Sequence, residues 1–324
     1  MRRARSNLEH FRNLDNASTS EIHERMMADG IEILVDLDGY SQGLPGLIAR
    51  RPAPVLVNFL GYAGTSGGLH DYLISDRSAI LAGTEHYYAE NIVWMPDCFL
   101  PPPTESTPAK MITSRLDESL PENGLVLGAF HTAFKITPEA FDAWCQILRD
   151  VPSAVLWLLD GPAPHADTLR AAARRRGVTE DRLIFARFLP AHVDHLARLP
   201  LADLYLDTFP HTAHSTAAEL IFQGCPLVTR TGAALASRVG ASVLRTAGVA
   251  ELVTEDWTSF VSKAVDLCIT PGALDYIRQQ VQKAREHSPL FDRAVYTRAL
   301  EDGFSRIAAR HRSGQSPASI EIQH

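Results

Sequence analysis

The sequence predicts an α/β fold of two lobes, each a largely parallel sheet covered by helices, and three observations carry that expectation. Short apolar runs alternate with segments of helical periodicity along most of the chain, the order that folds into parallel sheets with helices on both faces. A proline-rich polar interruption from Pro101 to Pro108 divides the alternation in two, as an interdomain linker does. With 324 residues and 45% apolar composition, the chain has enough material for two cores.

The elements follow in order. Leu8, Phe11 and Leu14 have helical spacing, and Ser18-x-x-Glu21 is a capping-box pattern that opens a second helix ending near Gly30. Ile31–Leu37 reads as a buried strand whose end carries Asp36 and Asp38, either facing a cleft or capping the turn built on Gly39, Gly43, Pro45 and Gly46. A second strand, Val55–Leu60, runs into GYAGTSGG at Gly61–Gly68, where four glycines permit positive φ and close backbone approach. Tyr72–Ser75 and Ile92–Met95 are further strands, with a short helix at Glu85–Ala89. Beyond the linker, strands are expected at Val126–Phe130, Ala154–Leu159, Leu183–Phe185, Leu204–Asp207 and Leu227–Thr229. Helices are expected at Thr137–Arg149, Ala166–Arg176, Ala217–Phe222, Ser237–Thr246, Trp257–Cys268, Gly272–Glu286 and Arg293–Arg310. Residues 1–117 are thus assigned to a first lobe, 118–312 to a second lobe with closing helices, and 313–324 to a disordered polar tail. No internal period of about 20–50 residues is present.

Composition excludes several classes. A net charge of −7 argues against a nucleic-acid partner, and the Arg174-Arg175-Arg176 run reads as a solvated helix face. Four widely spaced cysteines without a C-x-x-C pair suggest neither a disulfide framework nor a zinc module, which fits a reducing, cytoplasmic setting. No apolar run approaches membrane-spanning length, and the Arg-rich start lacks the apolar core of a secretory signal.

Ala202–Arg238 is where the residue types depart from packing. A short strand ends at Asp207, a loop carries Pro210, His211 and His214, and Ser215 and Thr216 open a helix closed by Gly224. A helix start at a strand's carboxyl end offers free N–H groups and a favourable dipole to a phosphate. His211-x-x-His214 with Asp207 could also be a metal half-site or a hydrogen-bonded structural pair, but no further ligands occur at zinc-like spacing.

Ligands of such sheets bind just beyond the strand ends, which selects His131, Thr132, Phe134 and Lys135, then His192, His195 and Arg198, then His214, Ser215, Thr216 and Glu219. Lys135 is either a solvent-exposed lysine or a point charge for a phosphate leaving group. Glu219, one turn into its helix, suits a ribose diol.

These residues resemble a known family. HSTAAE from His214, GCPLVT from Gly224 and LASRV from Leu235 look like the second lobe of the O-linked N-acetylglucosamine transferase, or SPINDLY-like, family. Ordered counterparts follow along the chain: GYSQG from Gly39, RPAPV from Arg51, LGYAGTSG from Leu60, DYLISD from Asp71, FKITPEAFDAW from Phe134, VLWLL from Val155, LADLYLDTFP from Leu201 and SPLFD from Ser288.

The resemblance implies a GT-B type α/β fold, two Rossmann-like lobes facing a cleft. It implies an inverting, metal-independent transferase that moves N-acetylglucosamine from UDP-GlcNAc to Ser and Thr hydroxyls of protein acceptors, with no cofactor beyond the donor. By resemblance Lys135 would be the catalytic charge on the β-phosphate, and His214, Ser215 and Thr216 would hold the diphosphate. Glu219 would take the ribose, His195 the uracil with His192 and Arg198 beside it, and Thr132 a sugar or phosphate contact. Tyr62, Gly64, Thr65 and Ser66 would approach the sugar or acceptor. Glu219 stands where the family usually has Asp, and Thr132 where many members have Gln. The family's lobe begins with an earlier strand and a His-Pro loop, preceded by tetratricopeptide repeats, so the first lobe is expected to be incomplete. The alternative reading is a nucleotide-sugar-binding remnant without turnover; an epimerase of similar fold would not be expected to share HSTAAE and LASRV.

Overall fold

A computed structural model of the chain describes residues 8–40, 44–61, 64–103 and 113–323. Helix α1 (Thr19–Ala28) starts where the capping box requires, with Glu21 N donating to Ser18 Oγ at 3.3 Å and Ser18 N donating to Glu21 Oε2 at 2.7 Å. Strand β1 (Ile33–Asp36), the short helix α2 (Leu44–Ile48) and strand β2 (Val55–Asn58) follow, and then β3 (Tyr72–Asp76) and β4 (Asn91–Met95). Strands β1, β2 and β3 pair in parallel, and Ile48, Ala53 and Leu56 pack beneath them with Leu34 and Leu44.

The second sheet contains β5 (Leu125–Ala129), β6 (Ala154–Leu159), β7 (Leu183–Ala186), β8 (Leu204–Leu206), β9 (Leu227–Arg230) and β10 (Val253–Thr254). Its helices are α3 (Pro138–Asp150), α4 (His165–Arg175), α5 (His192–Arg198), α6 (Ser215–Phe222), α7 (Val239–Thr246), α8 (Trp257–Ile269) and α9 (Ala273–His287), and α10 (Arg293–Arg312) follows, its residues from Phe304 onward belonging to the other unit. The strand order is β10-β9-β8-β5-β6-β7, with every adjacent pair parallel. From β5 the chain moves outward to β6 and β7, then returns to lay β8 on the other side of β5. That reversal opens a crevice at the carboxyl ends of β5 and β8, the position where open α/β sheets bind ligands.

Packing fixes the two central strands closely. Gly128 lies on β5 against Tyr205 of β8, and a Cβ there would sit 2.4 Å from the tyrosine ring, so only glycine fits. Tyr205 directs its hydroxyl to Leu199 O at 2.9 Å, which satisfies the one polar group of a side chain that is 1% exposed.

Several expectations differ from what is seen. Residues 8–18 carry no regular element, and Leu8 and Phe11 are exposed. The residues after β7, for which no element is expected, form α5. The expected disordered tail instead carries β11 (Ile320–Glu321), which lies beside β4, so the first sheet has the order β1-β2-β3-β4-β11. Ile322 N donates to Trp94 O and Ile322 is buried, which explains why this polar tail is held. The linker residues 104–108 lie outside the described residues. The chain forms two compact units from separated stretches, Met1–Ile74, His86–Val93 and Phe304–Ile320 in one and Ser75–Glu85, Trp94–Gly303 and Glu321–His324 in the other; the division expected after residue 117 falls inside the second.

Candidate functional site

The site of the second unit is built on the ends of β5 and β8. His131 follows β5, is buried, and donates Nε2–H to Leu206 O at 2.9 Å, joining the two strand ends. Burial holds it at about 4, so the ring is neutral at physiological pH. Asp207, 1% exposed, follows β8 and accepts three hydrogen bonds: Thr208 N at 2.7 Å, Ala213 N at 2.7 Å and Thr229 Oγ1 at 2.6 Å. Burial raises its carboxyl to about 6, against these bonds and the attraction of Lys135. Asp207 therefore closes the loop from residue 208 to 213, and Thr208 Oγ1 completes it by donating to His211 O at 2.8 Å.

Lys135 ends a 3-10 turn, Ala133–Lys135, that leaves β5, and its side chain is partly buried. Burial lowers its pKa and the charge of Asp207 raises it. Burial lowers His131, His211 and His214, and the charge of Lys135 lowers each further, so the ammonium lies near these three rings. Among the described residues it makes no hydrogen bond or ion pair, an unusual state for a partly desolvated cation. Thr132 is exposed on the same turn, and Phe134 is 83% exposed.

Helix α6 begins at Ser215, and its first amides have no intrahelical acceptor. His214 precedes it and donates Nε2–H to Ala236 O at 3.1 Å. Burial, with the charge of Lys135 contributing, holds His214 at about 4. Its remaining nitrogen, Nδ1, is then an acceptor, so the donors to an anion here are the amides and hydroxyls of Ser215 and Thr216. His211 stands 4.4 Å from His214, ring centroid to ring centroid.

Helix α5 places His192 and His195 on one face by their i,i+3 spacing, with rings 6.3 Å apart and 23° from parallel. His192 Nε2 meets Glu219 Oε1 of α6 at 3.1 Å, which brings the two expected nucleoside residues together from different helices. Arg198 departs from the expectation. It is 0% exposed, and its guanidinium lies behind His195 instead of in the crevice, because the last turn of α5 faces the core.

The first unit holds the other expected residues, apart from Tyr62, which lies outside the described residues. The hydroxyls of Thr65 and Ser66, expected to face a ligand, are donated to Glu90 instead, Thr65 Oγ1 at 2.7 Å and Ser66 Oγ at shorter range. Glu90 is 5% exposed, and a buried carboxylate needs such donors. Gly64 O accepts from Asn58 Nδ2 at 3.0 Å and Thr65 O from the Tyr40 hydroxyl at 2.7 Å, so three side chains pin this turn. Sequence reasoning missed Glu90, and also Thr229, whose one signal was a threonine at the end of an expected strand.

Among the described residues no group of three or more His, Cys, Asp or Glu is placed to hold a metal ion, and no helix is long and apolar enough to cross a membrane.

The two parallel α/β sheets are those of the GT-B fold class, and solved structures agree. A mutant of the Thermobaculum terrenum O-GlcNAc transferase superposes with a TM-score of 0.84 at 31% identity, over 95% of this chain and 58% of that one. The sucrose-phosphate synthase of Thermosynechococcus elongatus shares the fold alone, with a TM-score of 0.64 at 12% identity over 90% of this chain and 78% of its own. The family model "Glycosyl transferase family 41" matches residues 2–101 and 102–300. The chain belongs to glycosyl transferase family 41. Among curated relatives, "Probable UDP-N-acetylglucosamine--peptide N-acetylglucosaminyltransferase SEC" of Arabidopsis thaliana is 30% identical over 99% of this chain. The similarly named SPINDLY protein of Petunia hybrida is 29% identical over 95%. The chain spans 34% and 33% of the length of these two relatives.

Proposed function

We propose that this chain is the catalytic region of a protein O-GlcNAc transferase, which moves N-acetylglucosamine from UDP-GlcNAc to Ser and Thr hydroxyls of proteins with inversion and with no metal ion or cofactor. Family membership and the names of the relatives support the reaction class. The observation that carries the reading is Lys135, a partly buried ammonium without a partner among the described residues, set at the switch point beside the start of α6.

In this reaction the bond from the sugar's anomeric carbon to the β-phosphate oxygen breaks as the acceptor hydroxyl oxygen attacks from the opposite face, and the hydroxyl proton passes to the released UDP or to solvent. Negative charge develops on the departing diphosphate. Lys135 is the point charge that meets it, and the Ser215 and Thr216 amides add donors along the helix dipole. Keeping His131, His211 and His214 neutral leaves the cation at Lys135 as the local source of positive charge. Glu219 is assigned to the ribose and His195 to the uracil. A cytoplasmic location accords with four unpaired cysteines, and a tetratricopeptide-repeat region outside this chain would present acceptor proteins.

The test is incubation of the chain with UDP-GlcNAc and Ser/Thr peptides, with and without a chelator, followed by NMR of the product linkage. β-Linked product formed equally with the chelator supports the proposal. UDP binding without transfer to any peptide, an α-linkage, or loss of activity on chelation contradicts it.

A further inference from the structure

We propose that Arg198 is a positioning residue that fixes His195 in the Nε2–H tautomer, so that the ring meets its ligand as a neutral donor to an oxygen atom. The nucleotide part of this inference rests on the function proposed above; the tautomer does not.

Arg198 is fully buried and held from several sides. One terminal nitrogen donates to Arg187 O at 2.7 Å, and the other lies 3.0 Å from His195 Nδ1. The guanidinium carbon stands 5.0 Å from the Phe130 ring centre and 5.9 Å from that of Trp157, and buried Glu118 supplies a countercharge at 3.9 Å. A guanidinium has donors and no acceptor, so Nδ1 must be the bare nitrogen and the proton must reside on Nε2. Protonating Nδ1 would set N–H against N–H beside a cation. Phe130, 5.7 Å from the His195 ring and inclined by 32°, fixes the plane. Among the described residues Nε2 has no partner, and the ring is only partly buried, so the donor is available to a pyrimidine carbonyl, ribose or phosphate oxygen.

The experiment is long-range 1H–15N correlation of the histidine rings in the 15N-labelled chain at neutral pH, with His195 assigned by an H195N variant. The expected result is a bare Nδ1 and a protonated Nε2 in the wild type. In Arg198→Met, and in the double variant R198M/E118Q that avoids stranding a buried carboxylate, the ring should populate both tautomers and titrate higher. UDP should then bind about tenfold more weakly, the effect of one lost oriented hydrogen bond, and R198K should recover part of that loss. A protonated Nδ1 in the wild type, or an unchanged tautomer in the double variant, overturns the inference. Absence of UDP binding to a wild type that shows the expected tautomer would instead count against the function proposed above.

Discussion

Thr229 donates its hydroxyl to Asp207 at 2.6 Å, and through this bond β9 holds the carboxylate that closes the loop leading into α6. Thr229→Val removes a charge-assisted bond to a buried acceptor and should cost about 2 kcal/mol. Asp207→Ala should cost more, because it strands the Thr208 and Ala213 amides together with the Thr229 hydroxyl. Urea denaturation at pH 7 checks both, and UDP titration should show weakened binding in each.

Gly240 gives an independent handle on the same loop. A Cβ there would lie 2.9 Å from Thr229 Oγ1, 3.0 Å from Asp207 Oδ2 and 3.3 Å from Ala213 O. Gly240→Ala should therefore destabilise by roughly 1–3 kcal/mol through overpacking and lower UDP affinity together with stability. Unchanged affinity, measured calorimetrically, would separate this loop from the diphosphate.

The histidines set a pH dependence of stability. Burial holds His131, His195, His211 and His214 each at about 4, below the ordinary histidine value of 6.5. Their contribution is fully present above pH 6.5 and is lost as pH falls through 4, because the unfolded chain takes up protons that the folded one refuses. For fully buried His131 this amounts to something on the order of 3 kcal/mol. Asp207 acts oppositely: burial raises its carboxyl to about 6, so its contribution is present below the ordinary carboxyl value of 3.8 and is lost as pH rises through 6. Four histidines, set against Asp207 and Asp76, whose carboxyl burial likewise raises, give a net loss on acidification from pH 6.5 toward 4. Melting temperature against pH should show it, and His131→Gln should flatten the profile.

Glu219 and His192 meet at 3.1 Å across two helices. If this pair frames the ribose, Glu219→Ala should weaken UDP and uridine binding by a similar factor of about ten, whereas a change confined to the diphosphate would spare uridine. Competition binding with the two ligands distinguishes these outcomes.

Much of the fold was legible because strand and helix periods alternate strongly from Ile31 onward, and Ser18-x-x-Glu21 placed the start of α1 within a residue. The helix expected from the spacing of Leu8, Phe11 and Leu14 did not appear among residues 8–18, since the intrinsic tendency of so short a stretch to form a helix is marginal. Of the candidate site, the positions of Lys135, His192, Ser215, Thr216 and Glu219 after strand ends were legible one by one, but that His192 meets Glu219 was not. The retreat of Arg198 behind His195 and the claim of Glu90 on Thr65 and Ser66 were not, because long-range burial decides them. The short strand β11 was hidden for the same reason: a polar tail is held by pairing with β4, which local composition does not encode.

The most direct test of the account is Lys135→Ala, followed by UDP-GlcNAc turnover and thermal stability on the same preparation. If Lys135 stabilises charge on the departing diphosphate, turnover should fall about a hundredfold, while stability holds or rises, because a partly buried cation without a partner among the described residues has been removed. Turnover that survives the substitution, or that falls only in step with stability, would contradict it.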